Sequence, residues 1–288
     1  MANYPGTKKS TPSKNKYLSV SSKISENIIK SIKTGVIEHV IEEGVDDPGI
    51  LKMVFLAGGP GSGKGFVGSE LFGMAPLKGD KDFRTSFSHT GLKVVNSDTM
   101  FVHMLKKHGI DPKDLASISG NDIELAKKIG LTGDLPDSIR NKAKASIDKM
   151  RKLFFEGRLG MLIDGTGSNF SKIKKQKDIA EKLGYDTYMI FVNTSLDVAL
   201  ERNNRRSRVV PENTVKKLWG DAQDNMGKFQ NLFGSSNFLI VDNSVYGPVP
   251  KDVVKAADAF MKRPIKNRVG VEWIKLQRKL KNAGVDVV

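Results

Sequence analysis

The stretch that most restricts the fold of this 288-residue chain is Gly58-Gly59-Pro60-Gly61-Ser62-Gly63-Lys64-Gly65, set directly behind the apolar run Val54-Phe55-Leu56. Five glycines and a proline in eight residues favour neither a strand nor a helix, because glycine is costly in both and proline lacks an N–H. The spacing fits G-x-x-x-x-G-K. Without Cβ atoms the backbone can curl until successive N–H groups point inward, which makes a concave anion site. Lys64 would reach the outer oxygens of a phosphate chain, and a helix beginning there would turn its positive end to them. A glycine-rich hairpin has the same composition but not this order of strand, loop and helix. The expectation is therefore phosphate binding by Gly58, Gly59, Pro60, Gly61, Ser62, Gly63, Lys64 and Gly65. The pattern ordinarily continues with a Ser or Thr whose hydroxyl holds Mg²⁺; here Gly65 and Phe66 follow the lysine.

The first strand has company. Short apolar runs recur at Met53–Ala57, Leu92–Val95, Gly160–Ile163, Thr187–Val192 and Phe238–Val241. Each is rich in β-branched or aromatic residues and is separated from the next by a helical pattern, so the class is α/β with a five-stranded, mainly parallel sheet. About 55 residues between the second and third runs exceed one crossover. Gly109–Pro112 and Thr132–Pro136 divide them into at least three helices. Further on, a helix is expected over Leu196–Glu201, and Trp219 and Phe229 read as core after Pro211. His39, His89, His103 and His108 form no ligand spacing.

The ends differ from the middle. Residues 1–34 carry seven lysines against one acid, and residues 251–288 ten lysines and arginines against four acids, out of a net charge of +15. Such ends suit a polyanion, with solubility as the alternative reading. Residues 1–20 have a disordered composition, and Ile24, Ile28, Ile32, Val36 and Val40 mark a helix from Ser22. Trp273, Ile274 and Leu276 among Lys275, Arg278, Lys279 and Lys281 form a basic helix that either docks or binds nucleic acid. The expected divisions are a partly disordered basic extension over 1–50, a catalytic domain over 51–250 and a basic helical segment over 251–288. No run of 18 apolar residues spans a membrane and no secretory signal opens the chain. With Cys 0 there are no disulfides and no thiolate metal sites. A soluble, cytoplasmic protein is expected.

Three polar groups sit where a parallel sheet places chemistry, at the carboxyl ends of its strands. Asp98 follows the second run and could accept a proton from an attacking hydroxyl, or cap the next helix. Asp164 follows the third and could hold Mg²⁺, or simply make a turn with its flanking glycines. Arg202, Arg205, Arg206 and Arg208 fall within seven residues after the fourth, and their planar forks suit phosphate oxygens.

In this order the motifs resemble the 5′-polynucleotide kinases of bacteriophages and the related zeta-toxin-like kinases with a P-loop. The resemblance covers about residues 52–230 and is strongest at Leu162–Asn169 and Glu201–Pro211. It implies a P-loop NTPase fold with a helical insertion and a lid. It also implies ATP and Mg²⁺ as cofactors, phosphate binding by Lys64, Asp98 as general base, and Arg206 with Arg208 closing on the transferred phosphoryl. Polynucleotide kinases tend to carry an arginine three residues beyond the base, where this chain has Phe101. The expected activity is transfer of the γ-phosphate to a hydroxyl, foremost a polynucleotide 5′-OH. Two alternatives stand beside it: a nucleotide or nucleotide-sugar acceptor, and a nucleotide-binding assembly protein without catalysis.

Overall fold

The computed structural model describes residues 45–47, 49–73, 88, 90–133, 135–206 and 209–284. The N-terminal extension with its expected Ser22–Ile41 helix, His39, His89 and Arg208 lie outside the described residues.

Five strands form one sheet: β1 (Lys52–Ala57), β2 (Lys93–Val95), β3 (Met161–Asp164), β4 (Asp186–Asn193) and β5 (Phe238–Asp242). Their order is β2-β3-β1-β4-β5, and all four pairings are parallel. β1 is buried along its whole length and β4 along all but its last residue. Strands covered on both faces read as unbroken apolar runs rather than alternating ones, which is why β1 and β4 stand out in the sequence; edge strand β5 is apolar too, although Ile240 is exposed.

The helices are α1 (Lys64–Phe72), α2 (Ser97–Lys107), α3 (Leu115–Asn121), α4 (Ile123–Ile129), α5 (Ile139–Glu156), α6 (Phe170–Lys182), α7 (Leu196–Asn204), α8 (Glu212–Phe233), α9 (Lys251–Lys262) and α10 (Arg268–Asn282). Alternate strand residues choose the faces. Met53 and Phe55 join Ile147 and Phe154 of α5, Ile173 of α6 and Phe229 and Phe233 of α8 in one cluster. Val54 and Leu56 join Val67 and Leu71 of α1 and Val253 and Phe260 of α9 on the other. The β2–β3 connection holds four helices and a short turn of 3-10 helix at Pro112–Asp114. They enclose a third cluster around Phe101, Leu105, Leu115, Ile129 and Ala143. The expected breaks at 109–112 and 132–136 are there. A further one falls at Asp122, whose carboxylate accepts from Leu125 N and starts α4.

Three local readings change. Helix α7 runs three residues past Glu201, so Arg202 lies within it and Arg205 at its end. In the added turn Asn203 is 1% exposed, and its amide donates to Val210 O (2.8 Å) and accepts from Val210 N (3.1 Å). Trp219 is only partly buried and belongs to no core cluster, unlike Phe229; its Nε1 donates to Thr194 O at 2.9 Å. Beyond residue 250 the chain makes two helices, parted at Pro264. α9 is amphipathic and supplies Val253, Ala257, Phe260 and Met261 to the core. α10 lays Trp273 and Ile274 on the opposite face and leaves Arg268, Lys275, Leu276 and Lys279 exposed. Among the described residues no helix is long and apolar enough to cross a membrane.

Candidate active site

The glycine loop joins the carboxyl end of central strand β1 to α1, and the neighbouring strands bring their own ends beside it. Two glycines cannot be replaced. Gly61 (φ 79°) and Gly63 (φ 82°) adopt the left-handed conformation that side chains avoid. A Cβ at Gly61 would stand 2.2 Å from Ala199 O, and one at Gly63 2.2 Å from Asn243 Nδ2. Gly63 is the N-cap of α1 and offers no capping side chain, so the first amides of the helix face the loop's interior. Inside the same loop, Ser62 Oγ is buried with no hydrogen-bond partner. Curled backbone, an uncapped helix start and an orphaned hydroxyl fit a phosphate chain.

This is the fold of a P-loop NTPase.

Lys64 Nζ donates to Gly58 O (2.7 Å) and Gly59 O (3.1 Å). Burial holds its ammonium below the usual lysine range; Asp164 and Asp98 pull it back up, and Arg206 pushes it further down. Lys64, Asp164, Arg206 and Asp98 therefore share one electrostatic neighbourhood, although they come from four different segments. Asp164, last in β3, accepts from Asn96 Nδ2 at 2.7 Å. Asn96, one residue past β2, is also the N-cap of α2: its Oδ1 accepts from Asp98 N (2.8 Å) and Thr99 N (3.3 Å). The cap reading of Asp98 thus belongs to Asn96. The Asp98 carboxylate is exposed in the first turn of α2.

Among the described residues no three His, Asp or Glu side chains gather into a metal cage. Mg²⁺ asks for less, since one or two carboxylates with phosphate oxygens and water complete its shell. Asp164, aimed by Asn96 and close enough to Lys64 to shift it, fits that role; Gly65 has no hydroxyl to add.

The arginines divide. Arg202 Nη1 donates to Asn243 O at 2.7 Å, and its guanidinium lies 4.7 Å from the centre of the Tyr246 ring. Arg206 is exposed and acts on Lys64. Arg205 instead pairs with Glu201 on its own helix at 2.5 Å, with both side chains exposed. Asn96, Trp219, Asn243 and Tyr246 were not anticipated. The rule that flagged Asp98 and Asp164, a polar residue at a strand's carboxyl end, also points to Asn243 just past β5.

No family model matches this chain, and no curated protein matches it. Among solved structures it is similar to one from the PezAT chromosomal toxin–antitoxin system of Streptococcus pneumoniae, with 15% identity over 95% of this chain and 98% of that one and a TM-score of 0.42. It is similar to the AvrRxo1-ORF1:AvrRxo1-ORF2 complex with sulphate ions, with 11% identity over 78% of this chain and a TM-score of 0.42. There it spans 64% of the matched chain's length. Shikimate kinase from Acinetobacter baumannii in complex with shikimate shares 16% identity over 81% of this chain and 94% of that one, with a TM-score of 0.35.

Proposed function

We propose that this protein is an ATP-dependent kinase that transfers the γ-phosphate to a hydroxyl, foremost the 5′-hydroxyl of a polynucleotide. The observation that carries the reading is the neighbourhood of Lys64. A carboxylate at the start of α2, a carboxylate at the end of β3 and an exposed guanidinium all act on the one loop lysine. Phosphoryl transfer asks the protein chiefly for positioning and charge stabilisation, and these are the groups it uses.

The roles proposed for the residues are these. Loop amides and Lys64 hold the β- and γ-phosphates. Asp98 faces the acceptor and takes the proton of the attacking hydroxyl as its oxygen bonds to phosphorus and the bond to the ADP oxygen breaks. Arg206, with Arg208 beyond it, meets the charge on the moving phosphoryl, while Arg202 and Tyr246 flank the nucleotide. Asn96 keeps the Asp164 carboxylate turned to the loop. Mg²⁺ held at Asp164 would offset charge on the phosphate oxygens. A polynucleotide would add contacts to the exposed Arg268, Lys275 and Lys279 of α10 and to the lysines of the N-terminal extension.

A second acceptor has one observation in its favour. Phe101, one turn beyond Asp98 on α2, is 1% exposed, with the Arg140 guanidinium 5.0 Å from its ring centre. At that position α2 offers an acceptor no cation of its own, which suits a smaller nucleotide or nucleotide-sugar. The test is the whole chain with γ-labelled ATP, Mg²⁺ and a set of acceptors: a 5′-OH oligonucleotide, its 5′-phosphorylated form, nucleotides and nucleotide-sugars. Label on the 5′-OH oligonucleotide alone is expected. Label on a small acceptor would install the second reading. ATP binding without transfer to any acceptor would make the protein a non-catalytic nucleotide binder, as the absence of a hydroxyl at Gly65 and Phe66 would then explain.

A further inference from the structure

The residue that ties the phosphate loop to the arginine helix is neither a glycine nor a charged group. Asn243 follows β5 and is 8% exposed. Its Nδ2 donates to Ser62 O at 2.8 Å, across 181 residues of sequence. Its own carbonyl accepts from Arg202 Nη1 at 2.7 Å and from Thr194 Oγ1 at 3.5 Å, and its N–H donates to Asn193 O at 2.9 Å. One residue thus touches the loop, the end of β4 and helix α7.

We infer that Asn243 is a positioning residue for nucleotide phosphate: it aims the Gly63 N–H into the loop and holds Arg202 beside it. The first half rests on the peptide unit. Ser62 O and Gly63 N–H belong to one planar trans peptide and point in opposite directions. Pinning the carbonyl outward on Asn243 Nδ2 leaves the N–H directed inward. Glycine at 63 is permissive of other peptide orientations, so a loop without this anchor would sample them and lose the preorganised donor. The tight fit agrees with this, since the position of a Gly63 Cβ lies 2.2 Å from Asn243 Nδ2 and 3.6 Å from Arg202 Nη1. The second half rests on the guanidinium. Arg202 is held at one end by the Asn243 carbonyl and stacked on Tyr246, so its remaining N–H groups are oriented before a ligand arrives. Loop and arginine then stand or shift together, through a single residue at the end of β5.

The inference rests on the nucleotide reading of the same loop, and the experiment separates the two. Asn243→Ala and Asn243→Ser each remove the donor at reach of Ser62 O without adding bulk, and both keep the backbone carbonyl that holds Arg202, so they read out the anchoring of the loop. ATP, ADP and adenosine are titrated calorimetrically against the whole chain and each variant, with melting temperatures alongside. ATP and ADP affinities are expected to fall at least about tenfold, the weight of one hydrogen bond to a charged group. Adenosine affinity should hold, because it has no phosphate for the loop to read. An equal loss for all three ligands would mean that Asn243 is merely structural and overturns the inference, as would unchanged ATP and ADP affinities in whichever variant folds. A folded parent that binds neither ATP nor ADP would instead overturn the nucleotide reading itself, and the inference with it.

Discussion

The two edges of the sheet each hold buried or partly buried lysines, and they use them in opposite ways. At the amino-terminal edge, Lys93 at the start of β2 pairs with Asp47 at 3.0 Å, with side chains 3% and 0% exposed, and also donates to Gly91 O. Lys52, at the start of β1, sends its Nζ to the carbonyls of Phe260, Met261 and Arg263 and so closes the end of α9. Beside it Asp186 accepts from Lys266 N and Asn267 N and fixes the entry to α10. Each ammonium there is met by acceptors the fold supplies. At the carboxyl edge Lys64 has two loop carbonyls, and otherwise a field of two carboxylates and an arginine from three other segments. The donors of Lys93 and Lys52 are met by the ends of helices and strands, whereas the loop lysine also feels charges from three other segments.

The comparison is tested most severely at Lys93. Lys93→Met keeps the length of the side chain and leaves Asp47 buried and unpaired, which should cost about 3–5 kcal/mol of stability. Urea unfolding would measure it, and ATP affinity of the folded fraction should not move. A fall in ATP affinity would show that the two edges are not separate.

Asp98→Asn comes next. Turnover should drop by at least ~10², the lower bound for losing a general base, with ATP affinity and melting temperature unchanged. Unchanged stability is expected because the cap of α2 is Asn96. Asn96→Ala, in contrast, should cost about 1 kcal/mol and release Asp164 as well. If Asp98→Asn turned over acceptor at the parent rate, the carboxylate would have no part in the reaction.

Lys64→Met should weaken ATP binding about 10- to 100-fold, as removal of a hydrogen-bonding charge at phosphate does. Its melting temperature should hold or rise, because burial disfavours the ammonium that is removed. A large loss of stability here, like that expected at Lys93, would erase the distinction between the edges.

Much of this arrangement was legible in the sequence, and what escaped has a common cause. The central strands β1 and β4 declare themselves because burial on both faces makes them continuously apolar. The loop declares itself because only glycine suits Gly61 and Gly63. Asp98 and Asp164 are proposed by one rule, that strand ends carry chemistry, and both lie near enough to Lys64 to act on it. The misread residues depend on partners that no local pattern contains. Asn243 meets Ser62, Trp219 meets Gly59 and Thr194, and Asn203 meets Val210. Asn96 was within reach of local reasoning, two residues before Asp98. The more reactive carboxylate drew the cap assignment away from the residue whose amide performs it.

The smallest effect concerns the proton on Lys52. Burial brings its ammonium down to about 8, against 10.5 for a free lysine, with Asp186 pulling it up and Arg263 pushing it lower. Below pH 8 folded and unfolded chains both carry the proton, and this group adds no pH dependence. Between about 8 and 10.5 the unfolded chain still binds a proton that the folded chain has released. Stability contributed by this group therefore rises with pH, the reverse of a lysine held by a salt bridge. The gain should be on the order of 1 kcal/mol between pH 8 and 9.5, bounded by one proton per site. Urea unfolding of the parent and of Lys52→Met over pH 6.5 to 9.5 isolates the term, since every other group is common to both. The difference between the two curves should be flat to about pH 8 and then grow in favour of the parent. Curves that stay parallel to pH 9.5 would mean that three carbonyls and Asp186 keep the ammonium charged. Lys52 would then be a charged fastening for the end of α9, its ammonium held by the carbonyls of Phe260, Met261 and Arg263 against the cost of burial.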